Sequence, residues 1–528
     1  MIATTALLGQ ADCGAHARER GESGTRVDRR NLLKTAVLAS GGALSGATAS
    51  AARPAASHGA PVIAAPTSHG PHATALAGAL SRIAAYADAH RRGYGLPALT
   101  LVCIGPDGYT AQVRCGHANP DSHAPLRADH LFQIGSISKS FVAMCIHQLA
   151  AEGRLALTDD IRTALPGVAL PPSPPISLAQ LLEHSGGLPD DAPLFPRTPD
   201  GLLWSAFPPG SAWSYSNTGY DMLGKVVERL DGTLLAVSLK RRIFDRLGMD
   251  GARGEIIAAD RTRYPQSYSP KDPAVDARPG GALAPAAWVN VTFGSGCVAA
   301  TTGDMAKWLR YLAAAGQGHG APLLSDDQAR AFTAPGIAAP GWATTGAHYG
   351  AGLAHVPVEG RTVLHHTGGM VSYSSSMHVD PVAGVGCFAS TSSGGQDYRP
   401  RDLTAYACAV LRSAVAPEAG LAPSPAKVAP APPPRPPKPA AGTGAVPPEL
   451  AALAGRYEND DPWTGALTIE ARADGLYIDG QAPLEQRPEG YWIARGGPST
   501  ERLWFEHVTG GKAQLLNLSG RDFIRRDI

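Results

Sequence analysis

Residues 135–139 read Gly-Ser-Ile-Ser-Lys and lead directly into an apolar helix predicted for residues 141–149. Ser136 therefore falls at the first turn of a buried helix, and Lys139 lies one turn further along the same face. A serine hydroxyl is a poor nucleophile until a neighbour takes its proton, and lysine can do this only if burial lowers its pKa from about 10.4 towards about 7. The stretch therefore predicts a nucleophile and its base. The alternative is a serine that caps the helix, followed by a surface lysine, because these residues would show the same sequence pattern.

Two polar segments downstream strengthen the interpretation of this pair. A loop at residues 210–220 contains Tyr215, whose hydroxyl can relay protons, and Asn217, whose amide can hold an amide of a substrate. Residues 366–369 read His-Thr-Gly-Gly at the end of a predicted strand, where glycines let a substrate approach the backbone closely. Taken singly, the first segment is typical of a turn and the second of a strand end.

In this order, the three segments resemble the Ser-x-x-Lys, Tyr-x-Asn and Lys/His-Thr-Gly motifs of the serine β-lactamase and penicillin-binding protein superfamily. The resemblance is closest to its class C-like branch of β-lactamases, DD-peptidases, D-aminopeptidases and esterases. Residues 131–135, 181–189 and 243–249 also look like landmarks of that family, so the resemblance covers roughly residues 73–413. It implies an α+β fold in which a five-stranded antiparallel sheet flanked by helices lies beside an all-helical lobe, with the site between them.

The resemblance also implies a role for each residue. Ser136 would be the acylated nucleophile, Lys139 its base, and Tyr215 the partner that shares the proton and serves the leaving group or the deacylating water. The helix N-terminus favours an oxyanion beside Ser136. The oxyanion hole would be formed by the backbone N–H groups of Ser136 and Gly369. The residues that would bind substrate are Asn217, Thr367, Gly368 and Gly369.

His366 completes the set of catalytic residues that the resemblance implies, and it departs from the β-lactamase pattern, because lysine usually stands at that position. An imidazole is largely neutral at pH 7 and therefore holds a substrate carboxylate less strongly than lysine does. We therefore expect inefficient β-lactam hydrolysis, and the peptidases and esterases of the family, which often carry histidine there, become the better match. The neighbouring His365 points to the opposite strand face and is expected to be structural.

The wider hydrophobic pattern agrees with the implied fold. The middle of the chain, residues 131–312, is typical of helices and loops, so the first and last thirds must build one antiparallel sheet beside it. The elements predicted for this sheet domain are a helix at 76–87, strands at 98–104 and 109–115, strands at 363–366, 375–379 and 385–390, and a helix at 403–411.

The sequence outside residues 73–413 is predicted to contain a signal peptide, two linking segments and a small domain. Paired arginines at 29–30, an apolar stretch at 35–47 and an Ala-Ser-Ala site at 49–51 predict a twin-arginine signal over residues 1–52 and export to the periplasm or the medium. The other predicted segments are a flexible tether at 53–72, a Pro-rich linker at 414–448, and a small all-β domain at 449–528 that resembles lipocalin-like β-barrels.

The net charge and the cysteine spacing of the chain limit the partners and cofactors that we expect. The chain has 46 basic and 45 acidic side chains, so a net charge of +1 gives no electrostatic ground for a nucleic-acid partner, and the predicted mature chain has no transmembrane segment. Cysteine spacing fits no metal motif, and no cofactor is expected. A bridge between Cys103 and Cys115 would flank a hairpin, but scattered buried thiols are the favoured interpretation.

These observations favour an exported serine hydrolase that acts on a small D-amino-acid-containing peptide or an ester, with β-lactams as further acylating ligands. The same acyl-enzyme permits β-lactamase activity, or acyl transfer to an amine including peptide cyclisation. A hypothesis of another class is a non-catalytic penicillin- or cell-wall-binding protein whose C-terminal β domain performs the recognition. The intact set of Ser136, Lys139 and Tyr215 argues against it.

Overall fold

The computed structural model describes residues 61–64, 70–271, 281–342, 345–394, 400–417, 444–461, 465–495 and 499–526. The predicted signal peptide and most of the predicted Pro-rich linker lie outside these residues.

A twisted antiparallel sheet forms the centre of the large domain. Its order in the described part of the chain is β1-β3-β2-β14-β13-β12-β11-β10-β9, and β4 pairs with β3. Two short two-stranded sheets, β5-β8 and β6-β7, lie in the middle of the chain. The strands are β1 Val62–Ala64, β2 Ala98–Ile104, β3 Thr110–Asn119, β4 Ala124–Pro125, β5 Phe132–Gln133, β6 Tyr268–Pro270, β7 Leu283–Pro285, β8 Ala299–Ala300, β9 Ile337–Ala338, β10 His348–Tyr349, β11 Ala354–Val358, β12 Arg361–Gly369, β13 Ser374–Asp380 and β14 Val385–Thr391.

The sheet is larger than the five strands predicted from sequence. The five predicted strands are all present and adjacent, in the order β3-β2-β14-β13-β12, but the described sheet contains ten strands. The additional edge strands are only two to five residues long, too short to show a hydrophobic period. One of them, Val62–Ala64, falls in the segment predicted as a flexible tether and pairs with Arg114–Gln112, so this part of the segment is bound to the sheet edge.

Helices cover both faces of the sheet. Leu99, Leu101 and Cys103 pack against the first and last helices of the domain, while Val102 and Ile104 face the helical lobe, as the two-residue period of a strand requires. No described helix is both long and apolar enough to cross a membrane. The helices are α1 Ala73–Tyr94, α2 Ser138–Ala151, α3 Ile161–Ala164, α4 Leu178–Leu182, α5 Asn217–Asp231, α6 Leu235–Leu239, α7 Asp245–Leu247, α8 Thr302–Gly316, α9 Asp326–Phe332, α10 Pro400–Val415 and α11 Pro448–Ala451.

The C-terminal domain is a closed eight-stranded barrel, which agrees with the all-β domain predicted from sequence. Its inward side chains form a separate apolar core that includes Tyr457, Ile478, Leu484 and Leu516. The strands are β15 Gly455–Glu458, β16 Ala466–Arg472, β17 Gly475–Ile478, β18 Ala482–Gln486, β19 Trp492–Ala494, β20 Leu503–Thr509, β21 Lys512–Leu518 and β22 Arg521–Arg526.

The barrel contacts the helical lobe at residues 190–204. Trp204 donates its indole N–H to the carbonyl of Thr500 at 2.9 Å. Arg197 donates its backbone N–H to the carbonyl of Gly520 at 3.1 Å. Backbone groups of the lobe are therefore paired with groups of the barrel, so this surface is specified by hydrogen bonds as well as by shape.

A carboxyl group is buried at this contact. Glu501 is fully buried, and burial raises its pKa to about 6, although hydrogen bonds from Ser519 and from the Asp190 backbone act in the opposite direction. A carboxyl whose pKa is higher in the folded state than its ordinary value of 4.5 lowers stability as pH rises from about 4.5 through 6. The folded protein therefore carries the cost of ionising this buried group at neutral pH.

Glu501→Gln is expected to raise the free energy of unfolding by about 2 kcal/mol above pH 7, since the amide remains neutral. Below about pH 4.5 the two proteins should be equally stable, because Glu501 is then protonated in both the folded and unfolded states. Urea denaturation of both proteins from pH 4 to pH 8 measures the difference. A difference that does not change over this range would contradict the assigned ionisation.

The cysteines in the described part of the chain are free thiols. All six in the described residues are buried and unpaired, which confirms the favoured interpretation. The register pairs Cys103 with Ala111 and Cys115 with Leu99, so the two cysteines are separated along the hairpin. Among the described residues, no group of three or more His, Cys, Asp or Glu side chains could hold a metal ion.

Candidate active site

Ser136 lies in a single 3₁₀ turn, Gly135–Ile137, that continues into helix α2. The residues of α2 from Ser138 to Leu149 are buried, because this helix runs through the centre of the helical lobe. Lys139 is fully buried, and its Nζ lies 3.2 Å from Ser136 Oγ. The spacing of the motif therefore brings the two predicted groups into direct contact.

Two oxygen atoms hold the side-chain nitrogen of Lys139 in place. Its Nζ donates to Oδ1 of Asn217 at 2.6 Å and to the backbone carbonyl of Ser295 at 2.9 Å. Asn217 is the first residue of α5, where the side chain of Ser216 caps the helix by accepting from Gly219 N–H. The cap fixes the start of the helix, and with it the direction of the Asn217 side chain.

Each of these two acceptors is itself held by a carboxylate. Asp190 Oδ1 accepts from Asn217 Nδ2 at 3.2 Å, and Asp221 Oδ1 accepts from the backbone N–H of Ser295 at 2.8 Å. Burial raises the pKa of the Asp221 carboxyl, while the N–H of Ser295 and the positive charge of Lys139 lower it. Asp190 and Asp221 thus orient the Asn217 side chain and the Ser295 backbone, which in turn orient Lys139.

The sequence patterns assign no role to Asp190, Asp221 or Ser295. Asp221 lies one turn after Asn217 on the same helix face, and this spacing is the signal that could have indicated it. Asp190 directly follows the landmark segment at 181–189, but only the fold brings it to Asn217. Ser295 contributes a backbone carbonyl, which no choice of side chain reveals.

The aromatic ring of Tyr215 packs against the side chain of Lys139. Lys139 Nζ lies 4.8 Å from the centroid of the Tyr215 ring, a distance typical of a cation–π contact. The ring of Tyr215 also packs against the rings of His184 and Trp342, with centroid distances of 4.4 Å and 5.7 Å. The structure therefore brings the predicted tyrosine to the predicted base within an apolar wall.

His366 is fully buried. Its Nδ1 lies 2.6 Å from the carbonyl of Thr367, and its Nε2 lies 2.7 Å from Oη of Tyr349. A carbonyl can only accept, so Nδ1 carries the hydrogen and a neutral ring accepts from the tyrosine at Nε2. The neighbouring His365 stacks on His378 at 4.1 Å inside the sheet, as expected for a structural residue.

The glycines of the third segment lie against the turn of the nucleophile. A Cβ at Gly368 would lie 1.8 Å from the carbonyl oxygen of Ile134 and 3.3 Å from the backbone nitrogen of Ser136. Gly135 has φ +55°, and a Cβ there would lie 2.9 Å from the nitrogen of Gly369. Only glycine permits this backbone contact.

The hydrogen bonds of the strand indicate where the backbone of Gly369 points. The N–H of Met370 donates to Tyr373 across the hairpin at 2.8 Å. Since N–H groups alternate between the two sides of a strand, that of Gly369 points away from β13, towards the turn that contains Ser136. Both backbone groups predicted for the oxyanion hole therefore lie at the contact between β12 and this turn.

Comparison with known proteins gives the family. Residues 83–411, more than half of the chain, match the family model described as Beta-lactamase. The chain belongs to the Beta-lactamase family. Its curated relatives include proteins named as an esterase and as a D-alanyl-D-alanine carboxypeptidase.

Curated relatives match parts of the chain. Penicillin-binding protein 4* of Bacillus subtilis (strain 168) is 32% identical over 154 residues, 26% of this chain and 34% of that protein. Esterase EstB of Burkholderia gladioli is 30% identical over 185 residues, 30% of this chain and 46% of the esterase. D-alanyl-D-alanine-carboxypeptidase/endopeptidase AmpH of Escherichia coli (strain K12) is 26% identical over 329 residues, 57% of this chain and 81% of AmpH. The chain thus spans about a third of the length of penicillin-binding protein 4* and about half of the length of the esterase.

A solved structure shares the fold over a longer part of the chain. The octameric penicillin-binding protein homologue from Pyrococcus abyssi matches with a TM-score of 0.56 and 20% identity. The match covers 85% of this chain and 100% of that chain. At this identity the likeness shows the fold alone.

Proposed function

We propose that this protein is a serine hydrolase that forms an acyl-enzyme on Ser136. The observation that carries the proposal is the position of Lys139 Nζ, 3.2 Å from Ser136 Oγ and held by Asn217 Oδ1 and the Ser295 carbonyl. A neutral amine has two N–H bonds and one lone pair. The two acceptors take the two N–H groups, so the lone pair is directed at the serine hydroxyl and can accept its hydrogen.

In the acylation step, Ser136 Oγ forms a bond to the carbonyl carbon of the substrate while Lys139 takes the hydroxyl proton. The carbonyl oxygen becomes an oxyanion, which the backbone N–H groups of Ser136 and Gly369 stabilise. When the bond to the leaving group breaks, the proton passes to that group through the Lys139–Tyr215 pair. In deacylation, a water molecule transfers a proton to the same pair and attacks the acyl carbon. The bond to Ser136 Oγ then breaks, and the pair returns the proton to Oγ, which regenerates the hydroxyl.

The proposed substrates are D-amino-acid-containing peptides or esters. One observation supports this class over β-lactams. His366 stands where lysine is usual in β-lactamases, an imidazole is largely neutral at pH 7, and its Nε2 lies 2.7 Å from Oη of Tyr349. The curated relatives include a D-alanyl-D-alanine carboxypeptidase and an esterase, but also proteins named Beta-lactamase, so their names do not separate the two classes. Export is part of the proposal and rests on the signal-like residues 1–52 alone.

The acyl-enzyme is tested with a fluorescent fluorophosphonate, which labels activated serines. The wild type is expected to be labelled once per chain, and peptide mapping should place the label on Ser136. Ser136→Ala should remove the label completely. Ser140→Ala is the matched control, because Ser140 lies on the same helix but bonds to Ile137 and Trp308, so labelling should persist.

An unlabelled wild type, under conditions that label a known serine hydrolase, would contradict the proposed chemistry and favour the binding-protein hypothesis. For the substrate class, turnover of D-alanyl peptides, D-amino-acid amides, short p-nitrophenyl esters and a chromogenic cephalosporin is compared side by side. The cephalosporin is expected to have the lowest kcat/KM of the four.

A further inference from the structure

A buried carboxylate of the C-terminal barrel reaches the helical lobe beside the candidate active site. Oε1 of Glu501 accepts a hydrogen bond from the backbone N–H of Asp190 at 2.7 Å. Its own domain completes its environment, because Ser519 donates to Oε2 and Thr500 Oγ1 lies 3.3 Å from Oε1. Glu501 is therefore fixed by the barrel and directed at one residue of the other domain.

That residue is the one that holds Asn217. The carbonyl of Asp190 accepts from the backbone N–H of Asn217 at 2.6 Å and from that of Thr218 at 3.1 Å. The side chain of Asp190 accepts from Asn217 Nδ2 at 3.2 Å, and Asn217 Oδ1 accepts from Lys139 Nζ at 2.6 Å. A continuous series of hydrogen bonds thus joins Glu501 to the proposed base through two residues.

The segment on either side of Asp190 is held by the barrel as well. Arg521 Nε donates to the carbonyl of Asp191 at 2.8 Å. Gly520 has φ +87°, and a Cβ there would lie 2.4 Å from Cβ and 2.8 Å from Cα of Pro196, so these two segments are in close contact. Asp190 lies in a loop without helical or strand hydrogen bonds, so these barrel contacts act together with its hydrogen bonds from Asn217 and Thr218 to fix its position.

We propose that Glu501 is a positioning residue for the reaction. By fixing the backbone of Asp190, it keeps Asn217 Oδ1 where it orients Lys139 towards Ser136. The inference rests on the proposed acyl-enzyme chemistry. In this proposal the barrel helps to set the positions of the catalytic groups. Loss of the Glu501 contact should therefore slow the chemical step more than it weakens substrate binding.

The test compares three variants of the full-length protein with p-nitrophenyl butyrate as substrate and a fluorophosphonate as acylating probe. Glu501→Ala removes the acceptor for Asp190, whereas Glu501→Gln retains an oxygen at the same position. Leu484→Ala is the matched control, since it opens a cavity in the barrel core and destabilises that domain without touching Asp190.

Glu501→Ala is expected to lower kcat and the acylation rate constant about tenfold to hundredfold, with KM changed by about twofold or less. Glu501→Gln should restore kcat to near the wild-type value, and Leu484→Ala should leave kcat unchanged at a temperature where the protein remains folded. Equal losses of kcat in Glu501→Ala and Leu484→Ala would show that the barrel acts only through stability, and would overturn the inference.

An unchanged kcat in Glu501→Ala, with the wild type active and labelled, would overturn the positioning role while leaving the proposed function intact. A wild type that is neither active on the ester nor labelled would contradict the proposed function, and this inference with it. A loss in Glu501→Ala that appears in KM instead of kcat would assign the barrel to substrate binding and contradict the stated role.

Discussion

Lys139→Met is expected to lower kcat/KM by about 10³- to 10⁴-fold, because it removes the group that contacts Ser136 Oγ and is proposed to take its proton. Methionine is similar to lysine in length and is apolar, so it can occupy the fully buried site without leaving a cavity. Steady-state kinetics on a p-nitrophenyl ester, together with the rate of labelling by a fluorophosphonate, measure the loss.

The double variant is the sharper measurement. If Ser136 and Lys139 act as one unit, Ser136→Ala combined with Lys139→Met should be no slower than Ser136→Ala alone. Urea denaturation controls for folding, because Lys139→Met leaves the buried acceptors Asn217 Oδ1 and the Ser295 carbonyl without their donor and is expected to lower the free energy of unfolding by about 1–3 kcal/mol. Retention of most of the activity in a folded Lys139→Met would exclude lysine as the base and leave Tyr215 to take that role.

Sequence spacing could predict the groups that lie on one element. Ser136 and Lys139 are three residues apart on a continuous helical turn, so their contact follows from local geometry alone. The five long strands were predictable for the same reason, because each is long enough to show its own pattern. The short edge strands were not, because two to five residues at an edge adopt their conformation only through pairing with a neighbour.

The environment of the base could not be predicted in the same way. Asp190 approaches Asn217 from 27 positions away in the chain, and Ser295 approaches Lys139 from 156 positions away. Ser295 moreover acts through a backbone carbonyl, which every residue possesses. The contact of Glu501 with Asp190 spans 311 positions and two domains. Such contacts are products of the tertiary fold, and a motif records only the side chains at its own positions.

Gly368→Ala is the second variant with a large expected effect. A Cβ at this position would lie 1.8 Å from the carbonyl oxygen of Ile134, a backbone atom that cannot turn aside, so strand β12 and the turn of Ser136 must separate. A displacement of about 1 Å between the two proposed oxyanion donors should lower kcat by roughly 100-fold. Overpacking at a buried backbone contact should also lower the free energy of unfolding by about 1–3 kcal/mol.

Gly303→Ala provides the matched control for this change. Neither glycine has a left-handed backbone, and a Cβ at Gly303 would meet its nearest atom, Thr301 Oγ1, at 3.6 Å, an ordinary contact. Gly303→Ala should therefore keep the wild-type kcat, so that the effect of an added methyl group is separated from its position. A folded Gly368→Ala with unchanged kcat would mean that the backbone of β12 does not stabilise the oxyanion, because the added methyl group is expected to move Gly369 away from Ser136.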